Sequence, residues 1–254
     1  MDSTPRILVT RPEGQAQGLC ARIGALGGVA VELPTIEIRP PQDSGPLEAL
    51  VTRLDAYDLA VFISVNAVHY GLDFILARRG WPDSVQIAAV GLASNAALAQ
   101  YGLQAALVPE HEYSSEGLLA LRELADMRGR RVVILRGNGG RDTLYETLRA
   151  RGAAVEYVEV YRRARPEADP QALQTLLAPG FLAAITVTSN ESLQNLFDMA
   201  GAAGQPRLRE IPLVVASPRQ AALAARLGFR QGAVIAGHAS DEAMLAGIVQ
   251  LLAF

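Results

Sequence analysis

The 254-residue chain contains no lysine, and all 23 of its basic residues are arginine. Schiff-base chemistry, anchoring of pyridoxal phosphate and a Walker A phosphate loop each use a lysine amine, so none is open to this protein. Its single cysteine, Cys20, excludes an internal disulfide and suits a reducing compartment. Its three histidines, His69, His111 and His238, are too scattered to show metal-ligand spacing. A formal charge of -3 leaves no basic footprint for nucleic acid. No apolar run approaches the roughly 20 residues of a bilayer span. The opening MDSTPRILVT lacks the basic start and apolar stretch of a secretory signal. A cytoplasmic protein without nucleic-acid or membrane partners is expected. No G-x-S-x-G elbow occurs, and Cys20 falls inside a helical stretch, so the common nucleophile signatures are missing too.

Half of the residues are hydrophobic, an ordinary globular composition, and they are arranged as a repeat. Residues 7–33 read as strand, loop, amphipathic helix and strand, and residues 132–158 read the same way. Arg11 and Arg136 close the first strand of each copy, and Gly27 and Gly152 end each helix as left-handed caps, both pairs 125 apart. YDLAVFISVNAVHYGL (57–72) resembles FLAAITVTSNESLQNL (181–196), with Asn66 matching Asn190. QIAAVGLASNAALAQYGL (86–103) resembles PLVVASPRQAALAARLGF (212–229). SSEGLL (114–119) resembles SDEAML (240–245), Ser115 and Ser240 again being 125 apart. Short apolar strands alternating with amphipathic helices predict parallel sheets covered on both faces. Each half is expected to be a small flavodoxin-like α/β domain, with ligands beyond the carboxyl ends of the strands.

Two extended segments, PTIEIRPP (34–41) and EVYRRARP (159–166), follow finished βαβ units and end in proline. They are expected to pair as a two-stranded antiparallel connector. The chain then divides into a discontinuous first domain (1–36 with 166–254), a second domain (41–158), and connector strands at 37–40 and 159–165. The working site lies between the domains on this reading. A plain tandem split near 128 is the alternative.

Strand-end positions supply the candidate binding groups. In RGNGGR (136–141), Gly137, Asn138, Gly139 and Gly140 leave backbone N–H groups open at a helix start, flanked by Arg136 and Arg141, which suits a carboxylate or phosphate. The glycine spacing is not G-x-G-x-x-G, and no acidic ribose partner follows, so a dinucleotide is disfavoured. Its first-copy counterpart is RPEG, headed by Arg11, where Pro12 has no N–H. Ser64, Asn66, Gly91, Ser94, Thr188, Ser189, Asn190, Ser217 and Arg219 occupy the other strand ends. They either bind a polar ligand or cap the following helix. Tyr161, on the connector, is the best-placed titratable group, although a phenol is a weak general acid without help from its surroundings.

These residues resemble uroporphyrinogen-III synthase. The likeness runs through ILVTRP (7–12), F-x-S-x-x-A-V (62–68), VG (90–91), LRGNGGR (135–141), RGAxVxxVxVYRR (151–163), VTSNESLQNL (187–196) and VVASPRQAALAARLGF (214–229), nearly the whole chain. It implies two α/β domains joined by a two-stranded connector, the first domain built from both chain ends. It implies a cofactor-independent lyase that closes the linear tetrapyrrole hydroxymethylbilane into uroporphyrinogen III, inverting the last pyrrole ring and losing water. Tyr161 matches the family's connector tyrosine, which assists departure of the hydroxyl. Ser217 and Ser94 stand where relatives often carry threonine. The substrate bears eight carboxylates, so arginines and backbone N–H nests are the groups expected to hold it. A monomer that receives substrate from the preceding enzyme is expected, with no metal or organic cofactor. Two rivals are a cleft-closing binding or sensor protein for a small anion, and a nucleotide-dependent transferase using the glycine loop.

Overall fold

The computed structural model describes residues 4–167 and 169–252. In chain order the first elements are β1 (Arg6–Val9), α1 (Gln17–Ala25), β2 (Val29–Glu32), β3 (Glu37–Arg39), α2 (Gly45–Arg53), β4 (Leu59–Phe62), α3 (Val65–Leu76), β5 (Gln86–Ala89), α4 (Leu92–Ala99) and α5 (Ser115–Leu119). They are followed by β6 (Arg131–Gly137), α6 (Thr143–Ala150), β7 (Ala154–Ala164), α7 (Pro170–Leu176), β8 (Ala184–Val187), α8 (Asn190–Leu208), β9 (Leu213–Val215), α9 (Pro218–Leu227), β10 (Val234–Ile235) and α10 (Asp241–Leu252). The chain forms two compact units. Unit 1 takes the residues up to Glu37 and those from Ala164 onward, and unit 2 is Ile38–Arg163.

Unit 1 carries a sheet in the order β2-β1-β8-β9-β10. Counted along the chain within the unit this is 2-1-3-4-5, the flavodoxin order. Unit 2 carries β5-β4-β6-β7-β3. The repeat equates β1 with β6, β2 with β7, β8 with β4 and β9 with β5, and on that mapping β2-β1-β8-β9 of one sheet matches β7-β6-β4-β5 of the other. The pairs β1–β2, β1–β8, β8–β9, β4–β5, β4–β6 and β6–β7 are all parallel. Unit 2 is thus a permuted reading of the same sheet: of the four shared strands its chain builds β4 first rather than the strand equivalent to β1. Where unit 1 has β10, unit 2 has only an isolated bridge, Ala88 to Leu107.

The sheets are covered on both faces, as strands with near-continuous apolar runs require. In unit 2, Ala60, Phe62, Val133 and Leu135 face one core cluster, while Leu59, Val61, Val132 and Ile134 face the other with Leu144 and Leu148 of α6. Each fully buried Val, Leu, Ile or Phe among them contributes about 1.5–3 kcal/mol. Gly27 and Gly152 take φ of 80° and 95°, the left-handed conformation expected of them.

Three local expectations shift. The serines that cap α3 and α8, Ser64 and Ser189, are 125 apart, so Asn66 and Asn190 differ in register by one. The cap of α5 is Ser114, one residue before the Ser115 that lies 125 from Ser240; its hydroxyl accepts from the Gly117 amide, as that of Ser240 does from the Ala243 amide. Residues 154–164 form one uninterrupted strand, so the stretch read as a separate connector strand continues β7, with β3 as its neighbour in the sheet of unit 2. No described helix is long and apolar enough to cross a membrane.

Candidate active site

The most developed strand-end site lies in unit 2, where β6 runs into the glycine loop before α6. Arg136 is 5 % exposed and works inward. Its Nη2 donates to the Gly139 carbonyl, its Nε to the Gly137 carbonyl at 3.3 Å, and its Nη1 to Asp142 Oδ1 at 3.2 Å. Gly139 and Gly140 sit at φ of 69° and 107°, where other residues are strained. A Cβ on Gly140 would also stand 2.7 Å from Arg136 Nη2. Asn138 clamps the loop to β7 by accepting from the Arg163 amide at 2.7 Å and donating to its carbonyl at 3.3 Å. Among the described residues, no hydrogen bond uses the amides of Gly139, Gly140 and Arg141. Unpartnered and beside the N-terminus of α6, they are backbone donors of the kind that suits an anion. Arg141 is ion-paired to Glu116 of α5.

Tyr161 is brought to this loop by a bulge. Arg136 pairs with Glu159 but Gly137 with Tyr161, so Val160 is an extra residue on β7. Strand residues alternate faces, yet Val160 and Tyr161 enter the same core cluster; the bulge turns the tyrosine onto the α3 side. Its ring lies so close to Gly137 that a Cβ there would be 2.5 Å from Tyr161 Cε2. Its hydroxyl is 3.2 Å from Ser64 Oγ, which also accepts from the Ala67 amide at 3.1 Å as the cap of α3. Tyr161, Ser115, Arg136, Gly137 and Gly140 line a cavity of about 170 Å³. Pockets for drug-sized ligands span ~300–1,000 Å³. This one takes a side group or a single ring edge, not a whole large ligand.

Of the other expected residues in unit 2, Asn66 lies in the first turn of α3, Gly91 caps α4, and Ser94 is buried within α4. In unit 1, Arg11 is held like Arg136. Its Nη1 pairs with Asp241 and its Nη2 donates to the Ala239 carbonyl at 2.6 Å. Thr188 is half-buried at the end of β8, Ser189 Oγ accepts from the Ser192 amide at 3.0 Å, and Asn190 is exposed. Ser217 donates to Gln220 Oε1 at 2.6 Å, and Arg219 is exposed in the first turn of α9. The expected residues therefore fall into two groups, and only that of unit 2 includes a titratable side chain beside a nest.

One cluster went unnoticed in the sequence. Thr10, Thr35, Thr186 and Ser192 of unit 1 are all buried and joined, Thr10 to Ser192 at 2.9 Å and Thr35 to Ser192 at 2.7 Å. Their counterparts 125 positions away in unit 2 are Leu135, Val160, Val61 and Ala67. That polar-for-apolar exchange was visible in the repeat and marks where the copies diverged. Tyr161 itself corresponds to Ile36. Among the described residues no group of His, Cys, Asp or Glu is arranged to hold a metal ion.

The sequence profile described as uroporphyrinogen-III synthase HemD matches residues 17–246. A uroporphyrinogen-III synthase of Escherichia coli (strain K12) is 35 % identical over 241 residues, covering 94 % of this chain and 98 % of the relative. The structure of the Helicobacter pylori 26695 uroporphyrinogen-III synthetase aligns with a TM-score of 0.63 at 14 % identity, over 98 % of this chain and all of that one. A mutant uroporphyrinogen III synthase from the extreme thermophile Thermus thermophilus aligns with a TM-score of 0.61 at 19 % identity, over 98 % and 99 %. The two structures share the fold; the profile and the E. coli relative carry the kinship. With nearly the whole chain matched in both, this protein belongs to the uroporphyrinogen-III synthase family.

Proposed function

We propose that the protein closes hydroxymethylbilane into uroporphyrinogen III with inversion of the last pyrrole ring and loss of water, and that the glycine loop and Tyr161 of unit 2 are its working centre. The observation that carries the assignment is the juxtaposition of an open anion nest with a buried phenol in one cavity. A carboxylate side chain of the substrate occupies the nest, accepting from the amides of 139–141. This fixes the terminal ring relative to Tyr161. The hydroxymethyl C–O bond then breaks as the Tyr161 hydroxyl donates to the departing oxygen. Ser64 Oγ, already accepting from Ala67, donates its own proton to the Tyr161 oxygen and steadies it. The resulting azafulvene carbon is attacked by the substituted carbon of the last ring, giving a spiro intermediate; that carbon's original methylene bond then breaks, the methylene re-closes on the ring's free α carbon, and the proton lost there restores the Tyr161 phenol. Positioning of this kind can contribute up to ~7–11 kcal/mol, so strong acids and bases are not required.

Arg136 and Asn138 act in this proposal by shaping the loop, while Asn66, Gly91 and Ser94 offer the neighbouring strand ends of unit 2. Arg11, Thr188, Ser189, Asn190, Ser217 and Arg219 keep the carboxylate contacts first expected of them. Segments 37–40 and 159–165 are kept as an antiparallel connector, supported by β3 and β7 being neighbours where the chain passes between units. A monomer supplied by the preceding enzyme agrees with a centre whose assigned groups all come from one chain. The purified protein, given hydroxymethylbilane, is expected to yield isomer III; isomer I alone, at the spontaneous rate, would refute the assignment and favour a non-catalytic binding protein.

A further inference from the structure

Behind Arg136 lies a stack that the reaction does not use. The guanidinium carbon of Arg136 sits 4.3 Å from the centroid of the Tyr157 ring. Tyr157 stacks on Tyr145 at 4.8 Å with an interplanar angle of 26°. Arg149 closes the far side 5.3 Å from the Tyr145 ring and donates to its hydroxyl at 3.2 Å. Four layers therefore run from the glycine loop through β7 to the outer surface of α6. The edge of the Arg136 guanidinium is spent on the loop, and its one carboxylate partner among the described residues, Asp142, is 59 % exposed. A cation in so dry a place is costly unless its face is also met. An aromatic face does this, and does it best where water is excluded.

Tyr157 contributes its ring and not its hydroxyl. That oxygen is buried, and among the described residues no partner stands in hydrogen-bonding geometry to it. Burial first, then the nearby Asp142 carboxylate, push the phenol up to about 12, so the ring stays neutral at working pH.

Resting on the functional reading above, we propose that Tyr157 is a positioning residue: its ring face holds the Arg136 guanidinium in the plane from which it orders the backbone of 137–140 for anion binding. The substitutions Y157F, Y157L and Y145L test this. The readouts are the thermal midpoint, KM and kcat for hydroxymethylbilane, and the Arg136 Nε–H resonance of ¹⁵N-arginine-labelled protein, assigned by its loss in R136Q. A proton over a ring face is shifted upfield by the ring current. Y157F is expected to keep the shifted resonance and a KM within about twofold of the parent, since it loses only an unpaired hydroxyl. Y157L is expected to lose the shift and raise KM about tenfold, with a smaller change in kcat. Y145L removes comparable packing one layer further out and is expected to keep the shift. If Y157L fails to fold, Y157M fills the volume without a ring face. An unshifted Arg136 resonance in the parent, a parental KM in Y157L, or equal damage in Y157F and Y157L would overturn the assignment. If the parent makes no isomer III, the functional reading fails, while the resonance still decides the positioning.

Discussion

Tyr161 is at once a core residue and the proposed proton donor. Its ring is 1 % exposed among Phe62, Leu135 and Val160, and its hydroxyl reaches Ser64. Y161F keeps the ring and removes the one atom assigned to the leaving group. It is expected to lower kcat at least tenfold while costing about 1 kcal/mol of stability, the net worth of one hydrogen bond. Turnover assays beside thermal unfolding check both, and unchanged kcat would remove Tyr161 from the chemistry. Gly137 is tied to it. G137A places a methyl within 2.5 Å of the Tyr161 ring, so the strand or the ring must move. A loss of about 1–3 kcal/mol in unfolding experiments is expected from such overpacking, together with lowered activity. At this scale the sequence marked Arg136 and Arg11 as strand-end arginines but not their direction. Arg136 turns back on its own loop to the Gly137 and Gly139 carbonyls, and Arg11 reaches the Ala239 carbonyl before α10; both acceptors are placed by a fold that spacing alone does not reveal.

The ion pair between Arg141 and Glu116 joins the glycine loop to the start of α5, as Arg11 and Asp241 join the β1 loop to α10. Both helices offer an acidic residue near their first turn, while the arginine comes from different positions in the two loops. The Glu116 carboxyl is held below its ordinary 4.5, first by its own backbone amide and next by Arg141. A folded value below the unfolded one gives stability that is present above the unfolded value and lost as pH falls through the folded one. The parent and E116Q should therefore differ in thermal midpoint near pH 7 and converge as the pH falls well below the ordinary carboxylate value. A gap that persists unchanged across that range would mean the ion pair does not order the loop start. Helices and strands were legible here from apolar alternation and from capping serines and glycines. The bulge at Val160 was not, because one extra residue in a strand leaves no mark in composition; it shows only when Arg136 and Gly137 are paired with their partners.

Across the whole chain, the duplication is the most legible feature, since matches near 125 positions recur through strands, caps and helix ends. The order of strands follows from it, with unit 2 threading the shared sheet from a different starting strand. What the repeat could not show by similarity it shows by difference. Tyr161 stands where unit 1 has Ile36, the open glycine loop stands where unit 1 has RPEG, and the hydroxyl cluster of unit 1 has an apolar counterpart in the sequence of unit 2. Two copies of one scaffold have thus become chemically unequal, as a substrate with two different ends requires. The central claim is that the nest in unit 2 receives a substrate carboxylate. Amide spectra of ¹⁵N-labelled protein, recorded anaerobically while uroporphyrinogen III is added, test it most directly. The account predicts that the resonances of Gly139, Gly140 and Arg141 move downfield together and saturably; a saturable response elsewhere that leaves these three in place would contradict it.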